Sequence, residues 1–286
     1  MSLKGIAQET LKILEDGGFT APDSKRWVPL KDELDRAVAQ TSLYTPDTLE
    51  VLLDTPPSNS LPQDDPSPVK PRIEVTPERT QVAAQRLVVD EGVDNLALLN
   101  FASARNAGGG FITGAKAQEE DLTRCSGLYP CLLTQPAYYE TNRAQKSLIY
   151  TDHMIYSPGV PWFRTRSRNL LDHIFLASVI TAPAPNAGEV LRRDSKAGPK
   201  IEARMRRRCG MVLAVARDQG HRDLILGAWG CGVFRNEPAM VADAFGTWLE
   251  SPEFQGAFDR VTFAILTNSK NRSTLTAFEE RFRPQS

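Results

Sequence analysis

The chain has 286 residues, of which 41% are hydrophobic and 24% are charged, and its formal net charge is −1. This length suffices for one large globular core, or for a domain that carries an extension. The near-neutral charge argues against a general nucleic-acid coat, and no apolar run reaches the roughly eighteen residues that span a membrane. The N-terminus lacks the apolar region of a secretory signal, and the four cysteines show no CxxC spacing. These features predict a reduced, cytoplasmic protein.

The first 55 residues predict a mostly helical N-terminal extension. Apolar residues at helical spacing indicate a helix over Leu3–Leu14, which Gly17 would end as a C-cap, and a second helix over Leu30–Ala39. Six prolines then occur between Pro56 and Pro71, mixed with serine and aspartate. Because proline resists both helix and sheet, residues 56–72 are expected to form a loop or linker, followed by a core over 73–286.

Strands and helices alternate from residue 73 onward. The predicted strands are Ile73–Val75, Leu96–Phe101, Ser147–Ile155, Phe175–Thr181, Asp223–Trp229 and Val261–Thr267. The predicted helices run from an N-cap at Thr76-Pro77 to about Asp90, from about Ala117 to Cys125, from about Pro199 to Gln219, and onward from Asn236-Glu237-Pro238. Alternation of this kind predicts an α/β sandwich with a mixed central sheet.

Two glycine-rich turns each follow a predicted strand and precede a predicted helix. The first lies within NFASARNAGGGF (100–111), and the second lies within GAWGCGVFRNEP (227–238). Glycines let backbone N–H groups approach a ligand closely, and a helix N-terminus suits a diphosphate. GxxxxGK[ST] is absent and GxGxxG does not open the first unit, which argues against a P-loop enzyme and against a Rossmann dehydrogenase.

Gln118-Glu119-Glu120 opens the helix seven residues after the three glycines. Paired carboxylates can perform acid–base chemistry, although acids in a first turn can also simply complement the helix dipole. Neighbouring residues on a helix point about 100° apart, so the two acids cannot flank one bond symmetrically. The pattern therefore predicts unequal roles for Glu119 and Glu120.

The spacing GGG–seven residues–QEE resembles the signature of the poly(ADP-ribose) glycohydrolases. NFASARNAGGGF, GAWGCGVF, the N-terminal IAQETLKIL and TSLYTPD at Thr41 are similar to the bacterial-type branch of that family. The resemblance implies a macrodomain-like three-layer α/β/α sandwich over 73–286 with a helical extension. It also implies hydrolysis of the ribose–ribose bonds of poly(ADP-ribose), mainly from chain ends, with release of ADP-ribose and reversal of ADP-ribosylation.

The resemblance also implies roles for individual residues. Glu120 would be the catalytic acid and base, whereas Glu119 would hold the ribose hydroxyls next to the scissile bond. The implied substrate-binding residues are Gln118, Asn100, Asn106, Gly108, Gly109, Gly110, Phe111, Gly230, Cys231, Gly232, Val233 and Phe234, and neither a cofactor nor a metal is expected.

The chain departs from the family pattern in the first turn. Ser103 stands where related proteins carry an asparagine, so Asn106 or Asn100 would have to supply the missing amide. Arg235 follows Phe234 where macrodomains commonly carry a small residue.

Other interpretations stay open at this point. A macrodomain that binds ADP-ribose without cleaving it, or a hydrolase of mono-ADP-ribosyl groups, would use the same turns. The expected partners are poly(ADP-ribose), ADP-ribose and ADP-ribosylated proteins, with no membrane, no sequence-specific nucleic acid and a monomeric chain. Arg164, Arg166 and Arg168 could follow the polymer's diphosphates or form a solvated surface. Cys231 could be a nucleophile with His221, although a small buried residue fits better because no histidine shares its motif.

Overall fold

The computed structural model describes residues 2–55, 70–166, 169–267 and 272–283. The strands are β1 (Gly18–Thr20), β2 (Trp27–Pro29), β3 (Ser42–Tyr44), β4 (Arg72–Thr76), β5 (Leu96–Phe101), β6 (Met154–Arg166), β7 (Asn169–Ala182), β8 (Asp223–Leu226) and β9 (Arg260–Ala264). The α-helices are α1 (Leu3–Asp16), α2 (Lys31–Gln40), α3 (Pro46–Asp54), α4 (Thr80–Gln85), α5 (Gln118–Cys125), α6 (Leu128–Leu133), α7 (Pro136–Ala144), α8 (Ala187–Arg193), α9 (Gly198–Asp218), α10 (Pro238–Leu249) and α11 (Ser273–Arg281). The architecture is mixed α/β, as the alternation predicts.

The first of two compact units comprises Met1–Tyr44, Thr80–Ala144 and His153–Pro183. Within it, β6 pairs antiparallel with both β3 and β7, and β7 pairs parallel with β5. The first five residues of β5 are buried, which explains their continuous apolar sequence. The parallel pairing directs the carboxyl end of β5 into the first glycine-rich turn.

The second unit comprises Thr45–Arg79, Gln145–Asp152 and Ala184–Ser286. Here β9 lies between β8 and β4, and both pairings are parallel. Helix α9 buries one apolar face, which includes Met205, Cys209 and Val212. The second glycine-rich turn connects β8 to α10 in this unit.

Several predicted elements are confirmed almost to the residue. The strand over Leu96–Phe101 is β5, and α1 ends at Gly17, whose φ of 72° is the left-handed conformation expected of a glycine cap. The helices predicted near Ala117 and Pro199 are α5 and α9.

The helix start predicted at Thr76-Pro77 is wrong. Thr76 is the last residue of β4, and its carbonyl oxygen accepts a hydrogen bond from the backbone N–H of Ile265 at 2.9 Å. Helix α4 begins only at Thr80 and continues as a π-turn from Arg86 to Asp90. Continuing the strand satisfies the backbone of Thr76 in the sheet, so the local cap signal is overridden.

The strand predicted over Ser147–Ile155 is also wrong, because β6 begins at Met154. Tyr150 has a φ of 63°, which is incompatible with an extended strand. The carbonyl oxygens of Ile149 and Tyr150 instead accept hydrogen bonds from the buried guanidinium of Arg208. Ile149 is therefore buried without belonging to a strand.

The division into a helical extension, a linker and a core stays a prediction. Residues 56–69 of the linker lie outside the described residues. Within the described ranges, no helix combines the length and apolar character needed to cross a bilayer.

Candidate active site

Helix α5 is held against the end of β5 by the side chain of Gln118. Its amide oxygen accepts a hydrogen bond from Phe101 N at 2.8 Å, and its Nε2 donates to the oxygen of Leu99 at 2.8 Å. Nε2 also donates to Thr80 Oγ1 at 3.2 Å. Gln118 thus completes the backbone hydrogen bonding of the strand end and fixes where the next two residues lie.

Glu119 is a buried carboxyl group with both oxygens held by the first unit. Oε1 accepts from Asn100 Nδ2 at 3.3 Å, and Oε2 accepts from Ser103 N at 2.7 Å. Burial raises the pKa of Glu119 to about 8, against the opposing effect of these hydrogen bonds. The side chain is therefore fixed in position and is largely protonated at neutral pH.

Glu120 differs from its neighbour in its free oxygen. Oε1 accepts a hydrogen bond from Gly110 N at 3.0 Å. Across the described part of the chain, the buried Oε2 has no hydrogen-bond partner. A buried carboxyl oxygen without a partner is costly, and such exceptions call for a functional explanation. The two carboxyl groups therefore have different surroundings.

The glycines provide the close approach that the carboxyl groups require. Gly108 and Gly109 have φ values of 67° and 58°, which glycine adopts far more readily than other residues. A Cβ at Gly109 would overlap Glu120 Oε1 and would lie 3.1 Å from Glu119 Oε2. The first turn thus wraps directly over both acids.

Replacing Gly109 by alanine tests this close approach. Because the added methyl group displaces the carboxyl group of Glu120, which is the predicted catalytic acid, we expect Gly109→Ala to lower the rate of catalysis by about 100-fold, as for a misplaced catalytic group. Gly92→Ala is the matched control, since Gly92 has a φ of 73° but no atom within 4 Å of the added Cβ. Steady-state rates should separate the two variants; equal losses in both would mean that backbone strain, and not the overlap, causes the effect.

The raised pKa of Glu119 predicts a dependence of stability on pH. Between its ordinary value of 4.5 and about 8, the folded chain binds a proton that the unfolded chain releases. This contribution to stability is complete below pH 4.5 and is lost as the pH rises towards 8. Urea denaturation at pH 5 and pH 8 should therefore show a larger fall in the free energy of unfolding for wild type than for Glu119→Gln. The difference should be on the order of a few kcal/mol. Parallel pH profiles in the two proteins would contradict a raised pKa.

The polar residues of the first turn lie at different distances from the acids. Asn100 is fully buried behind Glu119, where its Nδ2 also donates to Thr181 Oγ1 at 3.2 Å. Ser103 holds the turn through its Oγ, which accepts from the backbone N–H of Asn106 at 3.2 Å. Asn106 itself is exposed. Ser103 therefore contacts Glu119 through its backbone, and Asn106 is the amide that a ligand could reach.

Sequence reasoning missed Tyr139 of α7. Its hydroxyl group is buried and has no hydrogen-bond partner in the described ranges. Burial raises its pKa, and the charges of Glu119 and Tyr129 add to this effect. No local signal indicates this position, because its proximity to Glu119 arises from the packing of α7.

Close contacts and hydrogen bonds fix the second glycine-rich turn, which lies in the second unit. Gly230 has a φ of 71°, and a Cβ there would lie 2.5 Å from Asn236 Nδ2. Asn236 Nδ2 donates to the oxygens of Gly230 and Pro185, and this fixes the turn ahead of α10. Gly232 and Val233 are exposed, and Val233 has 81% of its surface accessible. Phe234 is half-buried and its ring centre lies 6.2 Å from that of Tyr150.

Arg235 follows with a φ of 57°, which is uncommon for a residue other than glycine. Its side chain packs over Gly188, where an added Cβ would lie 2.8 Å from Arg235 Cδ. The bulky residue at this position is therefore directed away from the exposed part of the turn onto α8.

Two further hypotheses can be assessed. Burial raises the pKa of Cys231 to about 12, so its thiol is a poor nucleophile, as expected of a small structural residue. The prediction that Arg164 belongs to a solvated or polymer-binding surface is wrong, because its side chain is fully buried and pairs with Glu9. Arg168 lies outside the described residues, as does the side chain of Arg166.

Comparisons with known proteins agree on one family. Residues 7–165 match the family described as microbial-type PARG, catalytic domain. The chain is similar to the crystal structure of poly(ADP-ribose) glycohydrolase from Thermomonospora curvata, with 45% identity, a TM-score of 0.89 and coverage of 98% of this chain and 99% of that chain. The same enzyme bound to the inhibitor ADP-HPD shares 44% identity over 98% of this chain and 99% of that chain, with a TM-score of 0.87.

A poly(ADP-ribose) glycohydrolase from Deinococcus radiodurans in complex with ADP-ribose is also similar. It shares 45% identity at a TM-score of 0.78 and covers 87% of this chain and 97% of that chain. No match was found among curated proteins. The chain therefore belongs to the microbial-type poly(ADP-ribose) glycohydrolase family, and it is a glycosidase with the mixed α/β fold of the bacterial members.

Proposed function

We propose that this chain hydrolyses the ribose–ribose O-glycosidic bonds of poly(ADP-ribose), mainly from chain ends, and releases ADP-ribose. The observation that carries the catalytic assignment is the buried Glu120 Oε2, which has no hydrogen-bond partner among the described residues. A substrate oxygen placed there would satisfy it. Related structures contain ADP-ribose and the inhibitor ADP-HPD, which supports a substrate of the same chemical class.

In the proposed reaction, the Glu120 carboxyl group donates a proton to the oxygen that leaves with the departing ribose. The bond from that oxygen to the anomeric carbon breaks through an oxocarbenium-like transition state. Glu120, now a carboxylate, takes a proton from the water that attacks the anomeric carbon, and this restores the enzyme. The hydrogen bond from Gly110 N to Oε1 orients the group so that Oε2 performs the transfer.

Glu119 acts in this proposal by holding the ribose hydroxyls beside the scissile bond. Its fixed position supports that role, since Asn100 and Ser103 N already hold both of its oxygens. Gln118 and Asn100 would act as positioning residues behind the two acids. Gly108, Gly109, Gly110, Phe111 and Asn106 would form the ribose and diphosphate contacts of the first turn.

The second turn would bind diphosphate through Gly230–Gly232, with Val233 and Phe234 beside the ribose. The exposure of Gly232 supports this, because a glycine without a Cβ leaves its backbone N–H accessible to a ligand. The substrates would include ADP-ribosylated proteins. We also propose a cytoplasmic protein, which the four free cysteines support, and a monomeric one.

Incubation of the wild-type protein with end-labelled polymer, and separately with a mono-ADP-ribosylated protein, tests the proposed activity. We expect ADP-ribose as the main product from polymer, with the labelled chains shortening gradually. Polymer binding without release would instead indicate a reader of ADP-ribose. Release from the mono-modified protein alone would indicate a mono-ADP-ribosyl hydrolase, and early mid-length fragments would contradict end-directed cleavage.

A further inference from the structure

An open cavity of about 530 Å³ lies in the first unit next to the catalytic turn. Gly109 and Gly110 form one wall, so the cavity begins at the residue whose N–H binds Glu120. The opposite walls come from α6 and α7. Its volume lies within the range of about 300–1,000 Å³ that is typical of small-molecule sites.

The walls of the cavity combine exposed apolar surface with aromatic rings. Ile112 is 42% exposed and Leu133 is 54% exposed, and both are large apolar side chains facing this space. Tyr129 and Tyr139 line it as well. Tyr139 is 4% exposed, and its hydroxyl lacks a hydrogen-bond partner within the described chain. This combination fits a flat, partly polar ring such as a nucleobase.

Two arginines contribute positive charge at the same cavity. Arg105 and Arg143 are exposed and line it, and neither forms an ion pair within the described residues. Arg143 Nη1 donates to the backbone oxygen of Arg105 at 2.7 Å, which places the Arg143 guanidinium next to the backbone of Arg105. Guanidinium groups without acidic partners are typical of phosphate recognition.

We propose that this cavity binds the adenosine diphosphate part of the ADP-ribose unit on the leaving-group side of the scissile bond. The inference rests on the proposed function, because only a polymer provides a nucleotide on that side. Cleavage of a ribose–ribose bond leaves one ADP-ribose in the catalytic turn and a second nucleotide departing from Glu120. The cavity offers that second nucleotide an apolar surface for its base and cations for its phosphates.

Binding measurements in the Glu120→Gln background test the proposal without turnover. The probes are ADP-ribose and a polymer of two ADP-ribose units, and the variants are Arg105→Glu and Leu133→Asp. Both side chains are exposed, and among the described residues neither forms a side-chain hydrogen bond that the change would break. We expect each variant to bind the two-unit polymer about 10-fold more weakly, with unchanged affinity for ADP-ribose. Arg105→Glu should also reduce the salt dependence of polymer binding.

Arg36→Glu on α2 provides the matched control, since it introduces the same charge change at an exposed residue that does not line the cavity. Unchanged polymer affinity in Arg105→Glu and Leu133→Asp would overturn the proposal. Equal weakening of ADP-ribose and polymer would also overturn it, because the cavity would then belong to the ribose site itself. Failure of wild type to hydrolyse polymer would refute the proposed function separately.

Discussion

Glu120→Gln is expected to abolish hydrolysis of poly(ADP-ribose) while leaving the fold and the binding of ADP-ribose close to wild type. Glutamine keeps the size of the side chain and an oxygen that can accept the hydrogen bond from Gly110 N. It cannot donate a proton to the leaving oxygen. General acid–base groups typically contribute about 10²- to 10⁴-fold, so we expect kcat to fall by about 10³-fold.

Single-turnover rates of ADP-ribose release, with enzyme in excess over end-labelled polymer, measure this effect directly. Asp121→Asn is a suitable control, because Asp121 lies in the same helical turn and accepts a hydrogen bond from Gln81 instead of facing the glycines. Full activity in Glu120→Gln would show that Glu120 is not the acid. A similar loss in Asp121→Asn would indicate that the helix, and not the carboxyl group, is responsible.

Arg164→Met is expected to produce the largest loss of stability. Arg164 is fully buried and its Nη1 donates to Thr10 Oγ1 at 2.8 Å and to the oxygen of Arg124 at 3.0 Å. Its Nη2 pairs with Glu9 at 2.5 Å, so one guanidinium connects α1, β6 and the end of α5. Methionine fills much of the volume but removes the donor to Thr10 Oγ1 and the partner of Glu9, and the oxygen of Arg124 keeps the hydrogen bond from Thr10 Oγ1. We expect a loss of about 3 kcal/mol in the free energy of unfolding, as for other broken buried pairs.

Denaturation in urea measures this loss, and Arg192→Met is the control. Arg192 also forms an ion pair, with Glu189, but its side chain is 70% exposed. Exposed pairs contribute little, so this variant should unfold like wild type. Comparable destabilisation by both substitutions would mean that the buried network around Arg164 is no stronger than a surface ion pair.

The buried arginines show which part of the structure sequence patterns cannot predict. Charged side chains are usually exposed, so the sequence predicts that Arg164 lies on the surface. Its partner Glu9 lies 155 residues away in the chain, so no local pattern connects the two. Sequence patterns likewise do not predict the contact of Asn100 with Glu119, because it depends on how α5 packs against β5. Helices α6 and α7 were not predicted either, since they are short and α6 contains Pro130.

The central strand–turn–helix segment was predictable because its signals are local. The apolar run of β5, the glycines and the acids of the first turn of α5 each act within a few residues. Helical geometry also predicts unequal roles for the two acids. The structure adds a difference in surroundings, since Glu119 has both oxygens held, whereas Glu120 Oε2 has no hydrogen-bond partner in the part of the chain that is described.

Titration of ADP-ribose against Glu119→Ala and Glu120→Gln tests the separate roles proposed for Glu119 and Glu120 most directly. If Glu119 holds the ribose and Glu120 performs the proton transfer, Glu119→Ala should bind ADP-ribose about 10-fold more weakly, as expected for a lost hydrogen-bonding partner. Glu120→Gln should bind it like wild type despite its loss of turnover. Equal weakening in both variants, or weakening in Glu120→Gln alone, would contradict the assignment of ribose binding to Glu119 and of proton transfer to Glu120.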